Sequence, residues 1–286
     1  MKGIRKKTVK IVNLIENTEG RSECSYEHGL SFYIETEGHK VLLDLGQTDD
    51  SIRNAESLRV DLRAVDTVVL SHGHYDHSGG IIPFSRINDR AVIYMQKAAG
   101  GEYYADDGIM AGNDRYRYIG IDKDILKLPQ VRLLQGDYVI DDDLELFTIK
   151  NRTHVIPFTN KRLLVKTDEG FVSDDFIHEH YLVVKENGLP VLLSGCAHNG
   201  ILSILDAYKE KYGNLPDIVI SGFHLMVKRE YRENELEEVR AIAEELSTYQ
   251  TKFYTCHCTG IPAFEEMKNI MGDQLDYVHS GEEILL

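Results

Sequence analysis

The sequence predicts an α/β protein of layered type, sheets with helices outside them. Three observations carry this. Short runs rich in branched and aromatic residues recur along the whole chain. In the second half these runs alternate with amphipathic segments of helical length. No repeat or low-complexity linker interrupts the pattern, and 286 residues suit one large domain or two small ones.

The elements follow in order. "VKIVNLI" (Val9–Ile15), "LSFYIE" (Leu30–Glu35) and "KVLLDL" (Lys40–Leu45) read as strands, and the "TEGH" turn makes the last two a hairpin. "DDSIRNAESL" reads as a helix capped by Asp49 or Asp50, with Ile52, Ala55 and Leu58 on one face. "DTVVL" (Asp66–Leu70) and "AVIYM" (Ala91–Met95) are further strands. The stretch Gln96–Asp122 is rich in glycine and tyrosine, lacks periodicity, and reads as a loop insertion. Its tyrosines 103, 104, 116 and 118 and its Arg115 and Arg117 suit a cover over an anionic ligand. The competing reading is a surface excursion or a homo-oligomer contact. "LELFTI", "RLLVKT", "YLVVKE" and "PVLLSG" then read as strands separated by Gly, Asn and Asp turns. In "NGILSILDAYKEKYG" Ile201, Leu202, Leu205 and Tyr208 form a helical face that Gly213 ends. "DIVISG" and "KFYTC" are strands, and "NELEEVRAIAEELSTY" and "PAFEEMKNIM" are helices.

Composition narrows the function. A formal net charge of −15 disfavours nucleic-acid and anionic-membrane partners, and a small-molecule anionic substrate then needs a local reversal of field. The apolar run after the basic start "MKGIRKK" is too short for a secretory core or a membrane span. Four cysteines without a paired framework fit a reducing compartment, so a cytoplasmic location is expected. The chain carries no G-x-S-x-G elbow, phosphate-cradling loop or dinucleotide fingerprint.

The chemistry concentrates in "LSHGHYDHSGG" (Leu70–Gly80), with three histidines and one aspartate in six positions at a strand end. His72 and His74 lie two apart, so in extended backbone both rings face one way and can share a metal ion. Asp76 and His77 are adjacent and diverge, so they can face a second ion. Nitrogen mixed with hard oxygen suits zinc, with manganese, iron or magnesium as alternatives. Gly73 leaves room for close approach. The remaining donors must come from later loops. His198 in "SGCAHNG" lies between a strand and a helix start; His178, Glu179 and His180 are the alternatives for that ligand. His257 in "CHCTG" follows a strand, and alternation would turn Cys256 and Cys258 to the other side. Cys196 is left out of the ligand set, since buried free cysteine is common. His28, Glu179 and His224 are candidate substrate contacts.

The intact H-x-H-x-D-H pattern of His72, His74, Asp76 and His77, with "VLLDLG" ahead of it, resembles the metallo-β-lactamase superfamily. The resemblance covers essentially the whole chain and implies one domain over 1–286. It implies a four-layer αββα sandwich, two metals at the edge between the sheets, and a hydrolase using a metal-bound hydroxide in which Asp76 orients the attacking oxygen. It also implies that His257 serves the second metal. "EHGLSFYIE", "SHGHYDHSGG", "LLSGCAHNG", "SGFHL" and "CHCTG" together resemble one subgroup. That subgroup includes the archaeal enzyme joining a dihydropterin to a ribofuranosyl-aminobenzene phosphate. Pterin-related synthesis is therefore the alternative activity, and a non-catalytic metal or small-molecule sensor is the alternative of another class.

Overall fold

The computed structural model describes residues 9–108 and 115–286. The basic start and positions 109–114 of the Tyr/Gly-rich stretch lie outside the described residues.

Strand β1 (Lys10–Ile15) pairs antiparallel with β2 (Ser31–Glu35), and β2 with β3 (Lys40–Leu43). β4 (Thr67–Val69) and β5 (Val92–Gln96) then extend the sheet in parallel from β3. Their interior positions are mostly apolar because both faces are covered. Ile11, Phe32, Ile34, Val41 and Leu43 face the second sheet. Val12, Leu14, Tyr33 and Leu42 face the helix layer, where Ala55 of α1 (Asp50–Ser57) and Ile81 and Phe84 of α3 (Ile81–Ser85) meet them. Between these two helices lies the single turn α2 (Tyr75–Ser78). Asp49 precedes α1, but its carboxylate makes no cap bond and pairs with Arg53 at 2.9 Å instead.

The stretch 96–122 departs from the expected loop. It holds β6 (Tyr103–Asp106) and β7 (Tyr116–Tyr118), which join β11 (Leu163–Thr167) and β12 (Gly170–Ser173) in a four-stranded sheet. Such short strands carry no readable period. Pairing of β6 with β11, far along the chain, pairing of β7 with β6, and ring contacts hold them, including Tyr116 stacked on Phe171 at 4.1 Å.

β8 (Val131–Leu134) closes the first sheet beside β5. The second sheet is built from β9 (Tyr138–Val139), β10 (Leu144–Phe147), β13 (Tyr181–Glu186), β14 (Leu189–Leu193), β15 (Ile218–Ser221), β16 (Lys252–Thr255) and β17 (Leu275–Tyr277), in the order β17-β16-β15-β14-β13-β10-β9. Asn187 and Gly188, both at positive φ, make the two-residue turn between β13 and β14. β14 to β17 run parallel, as β3, β4, β5 and β8 do in the first sheet. β18 (Glu283–Leu285) returns to pair with β1. Helices α4 (Ile201–Tyr212), α5 (Glu233–Ser247) and α6 (Ile261–Met271) cover the outer face of the second sheet. In α4 the expected face is buried at Ile201, Leu205 and Tyr208, with Ile204 added and Leu202 at its margin. The result is a helix–sheet–sheet–helix sandwich with the main core between the sheets. Among the described residues no helix is long and apolar enough to cross a membrane.

Candidate metal centre

The candidate donors lie just past the C-terminal ends of parallel strands, where sites collect in α/β folds. Asp44 follows β3; His72 and His74 follow β4. Cys196 and His198 follow β14, His224 follows β15, and His257 and Cys258 follow β16. Four of these strand ends carry a non-glycine residue at positive φ: Asp44 (60°), Ala197 (51°), His224 (50°) and His257 (50°). Each such residue costs on the order of 1 kcal/mol or more, and strain of this kind gathers at functional sites. Here it turns the chain sharply enough to aim a side chain along the seam between the sheets.

The expected donors form two adjoining groups. His72, His74 and His198 each place one ring nitrogen within 4.8 Å of the others. His72 Nε2 lies 3.3 Å from His198 Nε2. Beside them, Asp76 Oδ2 lies 3.5 Å from His257 Nε2, 3.8 Å from His77 Nε2 and 3.3 Å from His28 Nε2.

Four of the rings, those of His72, His77, His198 and His257, are held from behind at Nδ1, which leaves Nε2 to face the shared space. Asp44 accepts hydrogen bonds from the Ser71 backbone N–H (2.7 Å), the Ser71 hydroxyl (2.6 Å) and His77 Nδ1 (2.7 Å). Ser71 Oγ in turn accepts from His72 Nδ1 at 2.8 Å. His198 Nδ1 donates to Asn160 Oδ1 at 2.8 Å, and His257 Nδ1 to Asn17 Oδ1 at 2.7 Å. Buried Glu16 accepts the His257 backbone N–H at 3.0 Å. Gly73 makes its close approach to backbone: a Cβ there would sit 2.7 Å from Ala99 O.

The electrostatics favour cation ligation. Burial first, then neighbouring imidazoles, hold His72 and His198 well below the ordinary histidine range. Burial likewise takes His74 down to about 3. These rings are neutral at physiological pH, as ligation requires. Burial opposes ionisation of Asp76, but His77, His257 and His28 outweigh it and hold the carboxyl well below its usual range. For His77 burial is outweighed by the Asp44 and Asp76 carboxylates, which raise it. Among the described residues His74 Nε2 and His257 Nε2 are buried without a hydrogen-bond partner.

The other sequence candidates divide. His28 and His224 line the cavity above the donors, and His224 packs its ring 4.1 Å from that of His198. Glu179 does not reach it. Both its oxygens are taken by the backbone N–H groups of His198 (2.7 Å) and Asn199 (3.0 Å), so its expected substrate contact gives way to a positioning role. His178 accepts from the Gly73 N–H and bonds Asp174, and His180 bonds Leu70 O, which leaves His198 beside His72 and His74. The alternation expected around His257 fails. β16 ends at Thr255, His257 opens a 3-10 turn, and Cys258 faces the cavity while Cys256 enters the core between the sheets.

The cavity encloses about 950 Å³ and carries six cations: Arg117, Lys161, Arg162, Lys228, Arg229 and Arg232. Arg117 and Arg162 share Asp107, and Arg229 pairs with Glu235. Among the described residues Lys161, Lys228 and Arg232 have no carboxylate at ion-pair distance. Of the Tyr-rich stretch, Arg117, Ala105, Asp107 and Ile119 line the cavity, whereas Tyr104, Tyr116 and Tyr118 pack on one another or on Phe171. The sequence reading missed Asn17, Asn160 and the 3-10 turn Phe158–Arg162, which carries Thr159 and Asn160 to the histidines and Lys161 and Arg162 to the rim. "PFTNKR" has no local signal that could have found them.

The fold and the donor-lined seam between its sheets define a known class: the chain belongs to the metallo-beta-lactamase superfamily, whose model matches residues 26–243. Within that class it is 28% identical over 279 residues to an uncharacterised protein of Methanocaldococcus jannaschii, spanning 95% of this chain and 98% of the other. It is 26% identical over 299 residues, 96% of each chain, to the same organism's 7,8-dihydropterin-6-methyl-4-(beta-D-ribofuranosyl)-aminobenzene-5'-phosphate synthase. The crystal structure of Tm1679, a metal-dependent hydrolase of the beta-lactamase superfamily, matches with TM-score 0.78 and 25% identity over 96% of this chain and 98% of that one.

Proposed function

We propose that the protein is a hydrolase that holds two divalent cations and cleaves a small anionic ester, phosphoesters being the first class to test. His72, His74 and His198 would hold one cation, and Asp76, His77 and His257 the other. The observation that carries this is the aim of the rings. Four have Nδ1 fixed on a protein oxygen, and their Nε2 atoms converge on one buried space. Of the converging nitrogens, His74 Nε2 lacks a hydrogen-bond partner there, and His257 Nε2 makes no hydrogen bond, with Asp76 Oδ2 at 3.5 Å. A buried group left unpaired costs about 1–3 kcal/mol, and a cation satisfies several neutral rings and a carboxylate at once. The donor set suits zinc, then manganese or iron. Bound there, such cations supply Lewis acidity and lower the pKa of water to roughly 7.

The chain's own residues do the rest. Asp76 presents Oδ2 at the meeting point of His28, His77 and His257, where it can orient water and accept its proton. His224, tied to Thr159 Oγ1 at 2.7 Å, stands over the first donor group and is placed to touch the substrate. The cationic rim reverses the field of a chain of net charge −15 and supplies partners for phosphate oxygens.

A second reading is the joining of a dihydropterin to an aminobenzene ribofuranosyl phosphate in the same cavity. It is supported by the 26% identity over 96% of both chains and by a rim suited to a phosphate.

The test is turnover by the zinc-loaded chain of nitrophenyl phosphomonoesters, phosphodiesters and thioesters, lost with chelator and restored by zinc. Binding of a pterin with product formed from both halves would replace hydrolysis by synthesis. Full cation loading and tight small-molecule binding without any turnover would make the protein a sensor.

A further inference from the structure

We infer that His178, Glu179 and His180 form one positioning unit: they lock the turn carrying His72 and His74 to the loop carrying His198, and so set the span of the first cation position without ligating the cation themselves. This rests on the two-cation reading above and names what holds its first position in shape.

The span needs holding. Ser71 Oγ donates to Asp44 and accepts from His72 Nδ1, and His198 Nδ1 donates to Asn160 Oδ1, so both Nε2 atoms carry bare lone pairs. Two acceptors form no hydrogen bond, so nothing in the rings draws them together. Yet they face each other at 3.3 Å, about the separation of two nitrogens that share one tetrahedral zinc at about 2.0–2.1 Å each. That separation is imposed from outside the rings.

The tripeptide reaches both sides of the seam. Toward the first sheet, His178 Nδ1 accepts the N–H of Gly73, the residue between His72 and His74, at 3.0 Å. The His180 backbone N–H donates to Ser71 O at 2.9 Å, and its Nε2 to Leu70 O at 2.8 Å. Toward the second sheet, Glu179 accepts the backbone N–H groups of His198 and Asn199 and the Asn199 side-chain amide. All three residues are buried, at 2% exposure or less, and the chain runs directly on into β13. One strand entry therefore grips both loops, and moving it moves the donors relative to one another.

The bond directions leave neither ring free for a cation. Because His178 Nδ1 accepts, its proton is on Nε2, which donates to Asp174 Oδ2 at 3.0 Å. Asp174 is fixed in turn by the Phe176 N–H at 2.8 Å. His180 donates from Nε2, and its Nδ1 meets the Gln96 amide nitrogen at 3.2 Å. The second position has braces of its own, Asp44 on His77 and Glu16 and Asn17 on His257, so the effect of the tripeptide belongs to the first.

The experiment titrates the full-length chain with zinc and with cobalt(II), unaltered and as His178→Ala, His178→Asn, Glu179→Gln and Val184→Ala. An Asn oxygen can stand in for Nδ1 as acceptor, whereas a Gln at 179 accepts on one oxygen only. The expected result is a loss of about 10–100-fold in zinc affinity at the first position in His178→Ala and Glu179→Gln. The visible cobalt bands shift with it, the second equivalent binds as before, and His178→Asn recovers much of the loss. Val184→Ala, in the core between the sheets, should lower the unfolding midpoint and leave the cobalt spectrum alone, which separates positioning from general destabilisation. A crystal structure of the zinc-loaded unaltered protein needs no variant to fold. It should show zinc on His72, His74 and His198, with both rings of the tripeptide keeping their hydrogen bonds. Zinc on His178 or His180 overturns the assignment and leaves the two-cation reading standing. So does unchanged affinity in both His178→Ala and Glu179→Gln, no recovery in His178→Asn, or an equal spectral shift in Val184→Ala. Failure of the unaltered protein to bind either cation overturns both.

Discussion

The two halves of the sandwich build their shares of the centre in opposite ways. In the first half one turn after β4 delivers His72, His74, Asp76 and His77, and Asp44 from the neighbouring strand end braces them through Ser71 and His77. In the second half the candidate site residues are spread over three loops: His198 after β14, His224 after β15, and His257 with Cys258 after β16. Their braces come from still further away. Asn160 precedes β11, Asn17 follows β1, and Glu179 precedes β13. A contiguous turn fixes its own geometry over a few bonds. Scattered donors share a site only because parallel strands end at one level and because buried amides and carboxylates fix each ring. The first half therefore carries most of the chemistry in little sequence, and the second depends on the whole sheet.

The largest test of this contrast is Asp76→Ala in the contiguous turn. Phosphoester turnover should fall by about 10²–10⁴-fold or more, with circular dichroism unchanged, because proton transfer and one donor go together. Turnover surviving that change would remove the turn from its central place. Next, His72→Ala and His198→Ala compare the halves directly. Each should lose about one cation per chain by elemental analysis; if His198→Ala keeps both, the scattered half is dispensable. The braces come third. Asn160→Ala and Asn17→Ala should weaken zinc affinity about 10–100-fold and destabilise the fold by about 1–3 kcal/mol through a stranded buried group, read from denaturant unfolding of the metal-free chain. Smallest are the rim changes. Lys161→Gln and Lys228→Gln should raise KM for a phosphorylated substrate a few-fold, leave kcat and cation content alone, and reduce the salt dependence of kcat/KM. A change in kcat instead would place these lysines at the reacting atoms.

Much of the frame is legible in the sequence because it rests on burial on both faces. Phe32–Ile34 and Val41–Leu43 are apolar without a break since one face meets the second sheet and the other the helices. The helix Ile201–Tyr212 is equally legible, with a 3.6-residue stripe and Gly213 at φ 84° to end it. What escapes is held by distant partners. β6 exists through pairing with β11, and β7 through pairing with β6 and rings meeting Phe171, so their own residues look like loop. Cys258 points into the cavity because the chain leaves extended geometry at Cys256 and turns through φ 50° at His257, which an alternation rule does not foresee.

By itself the sequence determined the layered α/β frame and the clustered turn of His72, His74, Asp76 and His77, because hydrophobic period and adjacent ligand spacing are local properties of the chain. Only the tertiary structure decided that His198 and His257 meet that turn, that Glu179 accepts the backbone N–H groups of His198 and Asn199, and that a cationic rim lines the cavity. Those outcomes depend on where parallel strands end relative to one another in space, and residues more than a hundred positions apart carry no mark of their meeting.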